Sequence, residues 1–200
     1  QGQKCSAASR AYIPHSVWSR IGGPLIAETE SITMGDPRDF TNFMSAVIDQ
    51  RAFDKITGYI ARARDDPACE IVTGGGSDDS KGWFIEPTII EGLTNAAKTN
   101  QEEIFGPVVT LIPFDNEEDA VQIANESDYG LSATIWTENE EKANRVSNQV
   151  DAGVIWVNCW MVRDLRTPFG GMKQSGMGRE GGSEALRFFT EQKNVCTSSV

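Results

Sequence analysis

The sequence predicts an α/β fold: a mostly parallel sheet with helices on both faces. Three observations predict it. Apolar runs of strand length, such as VVTLIPF at Val108–Phe114, recur along the chain. Segments with apolar residues at helical spacing, such as Gln50–Arg64, lie between them. That alternation is what parallel strands joined by crossover helices require. The 200 residues are 39% hydrophobic, with five Trp and nine Phe, which is enough for a core.

Each element has a local reason. Ser9–Ile13 is a short strand ending at Pro14, and Ser16–Ser31 is a helix that Gly22, Gly23 and Pro24 interrupt. GDPRDF is a loop. In Gln50–Arg64 the residues Phe53, Ile56, Tyr59 and Ile60 share one helical face. Glu70–Thr73 is a strand, and TGGGSDDSK turns the chain as a hairpin. Trp83–Ile90 returns as a strand, and Pro87, which has no N–H to donate, marks an edge or a bulge. After Val108–Phe114, Asn116 is placed to cap a helix running to about Asn125, with acids in its first turn where the helix dipole favours them. Leu131–Trp136 is a strand, Asn139–Gln149 a helix and Gly153–Val157 a strand. A Gly-rich loop, a short helix at Ser183–Thr190 and an extended piece ending at Val200 complete the chain. There is no internal repeat and no linker, so residues 1–200 are expected as one domain.

Composition narrows the function. The net charge is -11, and no Lys/Arg cluster offers the cations that nucleic-acid phosphates need. The acids are scattered as DDP, SDDS, DNEED and ENEE, a solvated surface. No run has the length of a membrane-spanning helix, and no signal peptide is visible at the start. Nucleic acid and membrane are therefore excluded as partners. Cys5, Cys69, Cys159 and Cys196 are far apart, with no CxxC pair, and His15 is the sole histidine. This pattern supplies neither a zinc site nor a disulfide framework, and it suits an intracellular, reducing compartment, cytoplasm or mitochondrial matrix. His15, after Pro14, is a surface residue entering a helix. GMGREG at Gly176–Gly181 has the letters of a dinucleotide fingerprint but lacks the apolar strand that must precede one.

The opening, QGQKCSAASR, sets one thiol among small polar residues, and a nucleophile is one of several roles open to it. More specific is a set of motifs in fixed order: GQKCSAASR, FIEPT, EEIFGPV, WVN and TPFGGMKQSGMGREG. Together they resemble the catalytic domain of the NAD(P)-dependent aldehyde dehydrogenases over nearly the whole chain. The resemblance implies that fold type, NAD or NADP as hydride acceptor, and Cys5 as the nucleophile that adds to the aldehyde and carries a thioester. It implies a cofactor-binding role for Glu103 and for Phe105. It places Asn158 at the edge of the site, and Phe169 in the FGG motif beside it. Cys159 follows Asn158, and no second nucleophile is expected there.

Finer resemblances divide the chain. Up to about Thr88 it resembles pyrroline-5-carboxylate (glutamate semialdehyde) dehydrogenase, in which Ser6 would contact substrate. From about Gly92 onward it resembles 2-hydroxymuconic and 2-aminomuconic semialdehyde dehydrogenases, in which Arg163 would bind a carboxylate as a bidentate fork. An ion pair between Arg163 and Asp164 or another neighbour is the alternative. The division implies a chimera joined between Thr88 and Glu102, and both parents act on carboxylate-bearing semialdehydes. The family's general base and cofactor-binding domain would lie before Gln1. The chain is thus expected to bind no cofactor alone and to lack dehydrogenase turnover, and a thiol esterase is a further reading. A non-catalytic folding piece or oligomerisation module is the remaining alternative, with Gln192–Val200 a strand for self-association.

Overall fold

In a computed structural model, which describes residues 1–199, the chain divides into two compact units, Gln1–Glu126 and Ser127–Val200. In the first unit strand β1 (Arg10–Pro14) runs directly into helix α1 (His15–Glu30). Pro24 lies inside α1, so the expected interruption does not occur: a missing N–H removes one ladder bond without ending the helix. His15 is exposed and sits 3.8 Å from the Asp115 carboxylate. Helix α2 (Gln50–Asp65) is capped by Asp49, whose carboxylate accepts from the Ala52 N–H.

Strand β2 (Glu70–Thr73) follows, then the hairpin of β3 (Ser77–Asp78) and β4 (Phe84–Ile85), with Ser77 opposite Ile85. The single strand expected over Trp83–Ile90 is broken at Pro87, and β5 (Thr88–Glu91) starts beyond it. A short helix α3 (Lys98–Gln101), β6 (Val108–Phe114) and α4 (Glu117–Asn125) complete the unit. Asn116 caps α4 by accepting from the Asp119 N–H, as its sequence predicts.

The four-stranded sheet has the order β1-β6-β5-β2. β6 is parallel to both β1 and β5, whereas β2 is antiparallel to β5, with a register shift between Ile71 and Thr73. The sheet is thus mostly parallel with one antiparallel edge. α2 covers it: Phe53, Ile56, Tyr59, Ile60 and Ala63 pack in one cluster with Ile85, Ile90, Leu93, Ile104 and Val108. Ile56 and Ile90 are fully buried, and burying a side chain of that size contributes roughly 1.5–3 kcal/mol.

The second unit has β7 (Tyr129–Gly130), β8 (Ser132–Ile135), helix α5 (Glu140–Gln149), β9 (Val154–Val157), β10 (Met172–Lys173) and helix α6 (Gly182–Phe189). β8, α5 and β9 form one parallel strand–helix–strand repeat, with Thr134 opposite Trp156. Asn139 caps α5 through the Lys142 N–H. β7 and β10 form a separate antiparallel pair. Residues 191–199 are exposed and form no strand, so the expected C-terminal strand is not formed among the described residues; Val200 lies outside them. No helix among the described residues is long and apolar enough to cross a membrane.

Candidate active site

The Ala7 N–H donates to the Lys4 carbonyl at 2.9 Å, which puts Cys5 and Ser6 at the two corners of a tight turn. Cys5 is exposed, and Ser6 is 7% exposed. The turn is held from upstream. Gly2 has φ +71°, and a Cβ there would lie 2.2 Å from the Gly106 carbonyl oxygen. Only glycine fits both the left-handed backbone and the close approach. The Gln3 side-chain oxygen accepts from the Ile48 N–H at 2.9 Å. The cysteine segment therefore packs on the IFGP loop within the first unit.

One face of α2 holds that loop. Lys55 Nζ donates to the Glu103 carbonyl at 2.6 Å, and the Tyr59 hydroxyl donates to the Glu102 carboxylate. A Cβ at Gly106 would meet Ile56 Cδ1 at 2.5 Å, so the loop lies flush on the helix. The hydrogen bond from Tyr59 holds the Glu102 carboxyl below its ordinary range, helped by Lys98. Burial, then the bond to Glu102, pushes the Tyr59 hydroxyl up. Ile104 is buried, whereas Glu103 and Phe105 are exposed. Phe105 has φ +61°, an uncommon conformation for an aromatic residue, and it turns the ring away from the core. Gln3, Ile48, Ala52, Lys55, Ile104 and Phe105 line a cavity of about 260 Å³. Sequence reasoning missed Gln3 and Lys55. The signal for Lys55 was its place one residue before Ile56 on the amphipathic face; for Gln3 there was none.

In the second unit, Asn158 also has positive φ, +52°. Its side-chain oxygen accepts from the Thr137 N–H at 2.9 Å and its amide donates to the Thr137 carbonyl at 2.8 Å. Both ends of the amide are thus used to join the strand β9 exit to the strand β8 exit. Trp156, beneath it, donates its indole N–H to the Val162 carbonyl at 2.9 Å. Cys159 is half-buried.

Arg163 lies over the Phe169 ring, its guanidinium carbon 4.2 Å from the centroid, and pairs with Glu180 at 2.8 Å. The ion pair weighed for Arg163 therefore exists, but with Glu180. Asp164 instead takes Arg166 at 2.5 Å, which holds the Asp164 carboxyl below its ordinary range. Phe169 and Glu180 exchange two backbone hydrogen bonds of 2.8 Å each. The structure brings Gly2 and Gln3, just upstream of Cys5, onto the loop of residues 104–106, and it brings Arg163 onto Phe169. Asn158 is engaged with Thr137. Among the described residues no group of His, Cys, Asp and Glu could hold a metal, and all four cysteines are free.

A sequence model described as "Aldehyde dehydrogenase family" matches residues 1–195. A 2-hydroxymuconic semialdehyde dehydrogenase from Pseudomonas sp. (strain CF600) is 44% identical over 98% of this chain, which covers 41% of that protein. A 2-aminomuconic semialdehyde dehydrogenase from Danio rerio is 41% identical over 98% of the chain, which again covers 41% of the relative. Among solved structures, a betaine aldehyde dehydrogenase from Staphylococcus aureus in complex with NAD+ matches with a TM-score of 0.89 and 36% identity, over 94% of this chain and 38% of that one. An aldehyde dehydrogenase variant from Bacillus cereus matches with a TM-score of 0.91 and 34% identity, over 95% of this chain and 38% of that one. The chain thus spans about two fifths of the length of the curated relatives it matches. Its fold is that of their catalytic domain, and the chain belongs to the aldehyde dehydrogenase family.

Proposed function

We propose that the chain carries the thiol of an aldehyde dehydrogenase that oxidises a carboxylate-bearing semialdehyde to the acid, with NAD or NADP as hydride acceptor. The observation that carries the reading is the exposed Cys5 in a turn just after Gly2, which packs on Gly106 of the IFGP loop. The Cys5 thiolate adds to the aldehyde carbon. Its backbone N–H, which has no protein acceptor among the described residues, is available to the resulting oxyanion. Loss of hydride leaves a Cys5 thioester, and water cleaves it to the acid and the free thiol.

The residues present fit a nicotinamide ribose. Glu103 is an exposed carboxylate on a backbone fixed by Lys55, and Phe105 offers an exposed ring beside a mostly apolar cavity. These two would hold the cofactor, which when bound supplies the hydride acceptor. The GMGREG stretch does not fit a dinucleotide: only the two-residue β10 precedes it. The 200 residues by themselves are accordingly proposed to bind no cofactor and to form no NADH.

Substrate class follows from the semialdehyde names of the similar enzymes and from Arg163, which keeps one edge of its fork for a carboxylate. Ser6, being buried, supports the Cys5 turn from its inner side, and Asn158 ties the exits of β8 and β9 together through Thr137. A chimeric parentage is not needed for this reading. One relative aligns over 98% of the chain, and β5 and β6, on either side of the supposed join, pair in register. The free cysteines suit a reducing compartment. Self-association through the exposed residues 192–199 belongs to the same proposal, and sedimentation of the chain with and without them checks it.

Acylation tests the central claim. Incubation with a p-nitrophenyl ester, followed by peptide mass analysis, is expected to place the acyl group on Cys5, with release of nitrophenol lost in Cys5→Ser. Acylation spread evenly over the four thiols, or equal rates in Cys5→Ser, overturns the nucleophile assignment. NADH formed by the chain alone, and lost in Cys5→Ala, overturns the proposal that it has no turnover by itself.

A further inference from the structure

Arg163, Phe169 and Glu180 form a closed triangle, of which sequence reasoning singled out only the first two. The guanidinium stacks on the ring at 4.2 Å, one terminal nitrogen binds Glu180 Oε1 at 2.8 Å, and Glu180 is locked beside Phe169 by the paired backbone hydrogen bonds. A guanidinium has five donors in a rigid fork. Glu180 takes a single one, and among the described residues the other edge of the fork meets no protein acceptor. The side chain of Arg163 is 33% exposed, so that edge is reachable from solvent.

We infer that Glu180 is the positioning residue for carboxylate recognition by Arg163. It holds the guanidinium flat on Phe169, so that one edge is spent and the opposite edge is presented to a single carboxylate as a bidentate partner. This rests on the reading of Arg163 as the carboxylate-binding residue. Two consequences follow from the chemistry of Glu180. Its oxygen acts as an anchor, which spares an incoming carboxylate the ordering of a long flexible side chain. Its charge acts as a like-charge neighbour, which weakens the attraction and disfavours a second carboxylate at the same fork. A glutamine keeps the anchoring oxygen and drops the charge, whereas an alanine drops both.

The test is a titration of the whole chain with glutarate, following the Arg163 Nε–H signal by nuclear magnetic resonance, with glutaramide as the uncharged control. Wild type is expected to shift with glutarate and not with glutaramide. Glu180→Gln is expected to bind glutarate as tightly as wild type or more tightly. Glu180→Ala is expected to bind about threefold or more weakly, as the ordering cost returns. The proposal is overturned if Glu180→Ala binds like wild type, or if both variants weaken alike. If the Arg163 signal of wild type ignores glutarate, the carboxylate reading of Arg163 falls and this inference with it. A response that is present in wild type but indifferent to Glu180→Ala removes only the inference.

Discussion

The two units of the chain solve the problem of stability differently. The first buries a continuous cluster under α2, from Val47 and Phe53 to Ile104 and Val108. In the second, the buried hydrophobic residues are Ala143, Ala152 and Trp156, while Trp136, Trp160, Leu165, Met177, Leu186, Phe188 and Phe189 are exposed. The candidate chemistry follows this division. Cys5, Glu103 and Phe105 rest on a packed base, whereas Arg163, Phe169 and Glu180 are held by a ring contact, an ion pair and backbone bonds on a loop. Packing fixes a nucleophile and its loop rigidly; polar contacts place a recognition group with less burial and more tolerance.

The largest effect separates the units by core size. Ile56→Ala empties a site that is 0% exposed, and it is expected to lower unfolding stability by about 2–5 kcal/mol. Ile56 also backs Gly106, so the same substitution loosens the loop of Phe105. Denaturant unfolding followed by tryptophan fluorescence gives the first number. A loss near zero would mean that the first unit does not depend on this cluster.

Next in size is Gly2→Ala. The added Cβ would strike the Gly106 carbonyl and force a side chain into φ +71°, a strain of roughly 1–3 kcal/mol. Because the strain falls on the contact between the cysteine segment and the IFGP loop, acylation of Cys5 is expected to slow more than global stability falls. Ester turnover and a denaturation midpoint, measured on the same variant, separate the two. A midpoint that falls in step with the rate would argue that the segment is merely part of the core.

Much of this first unit was legible in the sequence, because its elements obey local rules. The cap at Asn116, the strand at Val108–Phe114 and the helical face of Phe53, Ile56, Tyr59 and Ile60 all appear where short-range chemistry puts them. The thiol and the IFGP loop were legible as motifs. What was not legible depends on contacts distant in sequence: Gln3 with Ile48, Lys55 with Glu103, and Gly2 with Gly106. In the second unit Arg163 was legible, but its partner was not. The adjacent Asp164 was the nearer candidate by sequence, yet Asp164 bonds Arg166 through a local turn and leaves Arg163 to Glu180, seventeen residues on. The two-residue strands β7 and β10 are too short to leave a periodic signal.

Tyr59→Phe tests the polar side of the first unit. Glu102 has its carboxyl lowered below 4.5 in the fold, mainly by the Tyr59 hydroxyl. Such a group adds stability above its unfolded value, and that stability is lost as pH falls through the folded value. Tyr59 itself is raised above 10, so its share holds at lower pH and declines in strong alkali. Wild type is therefore expected to exceed Tyr59→Phe in stability at neutral pH, with the gap narrowing as pH falls through the lowered Glu102 value. The effect is smaller than that of Ile56→Ala, because Glu102 is well solvated. A gap that stays constant with pH would assign the contribution of Tyr59 to packing alone.

The smallest expected change is at α6, and it decides whether the second unit is stabilised by its apolar surface at all. Phe189 is 77% exposed, and its main aromatic contact is an edge-to-face one with Phe188, centroids 4.9 Å apart. Little apolar area leaves water there on folding, so Phe189→Ser is expected to shift stability by less than about 0.5 kcal/mol. Exposed apolar surface of this kind favours association instead, so light scattering at high concentration should fall in the variant while the unfolding midpoint stays put. A midpoint that drops as far as it does for Ile56→Ala would mean that α6 is anchored by burial after all. The contrast between a packed first unit and a lightly packed second one would then fail at its clearest point.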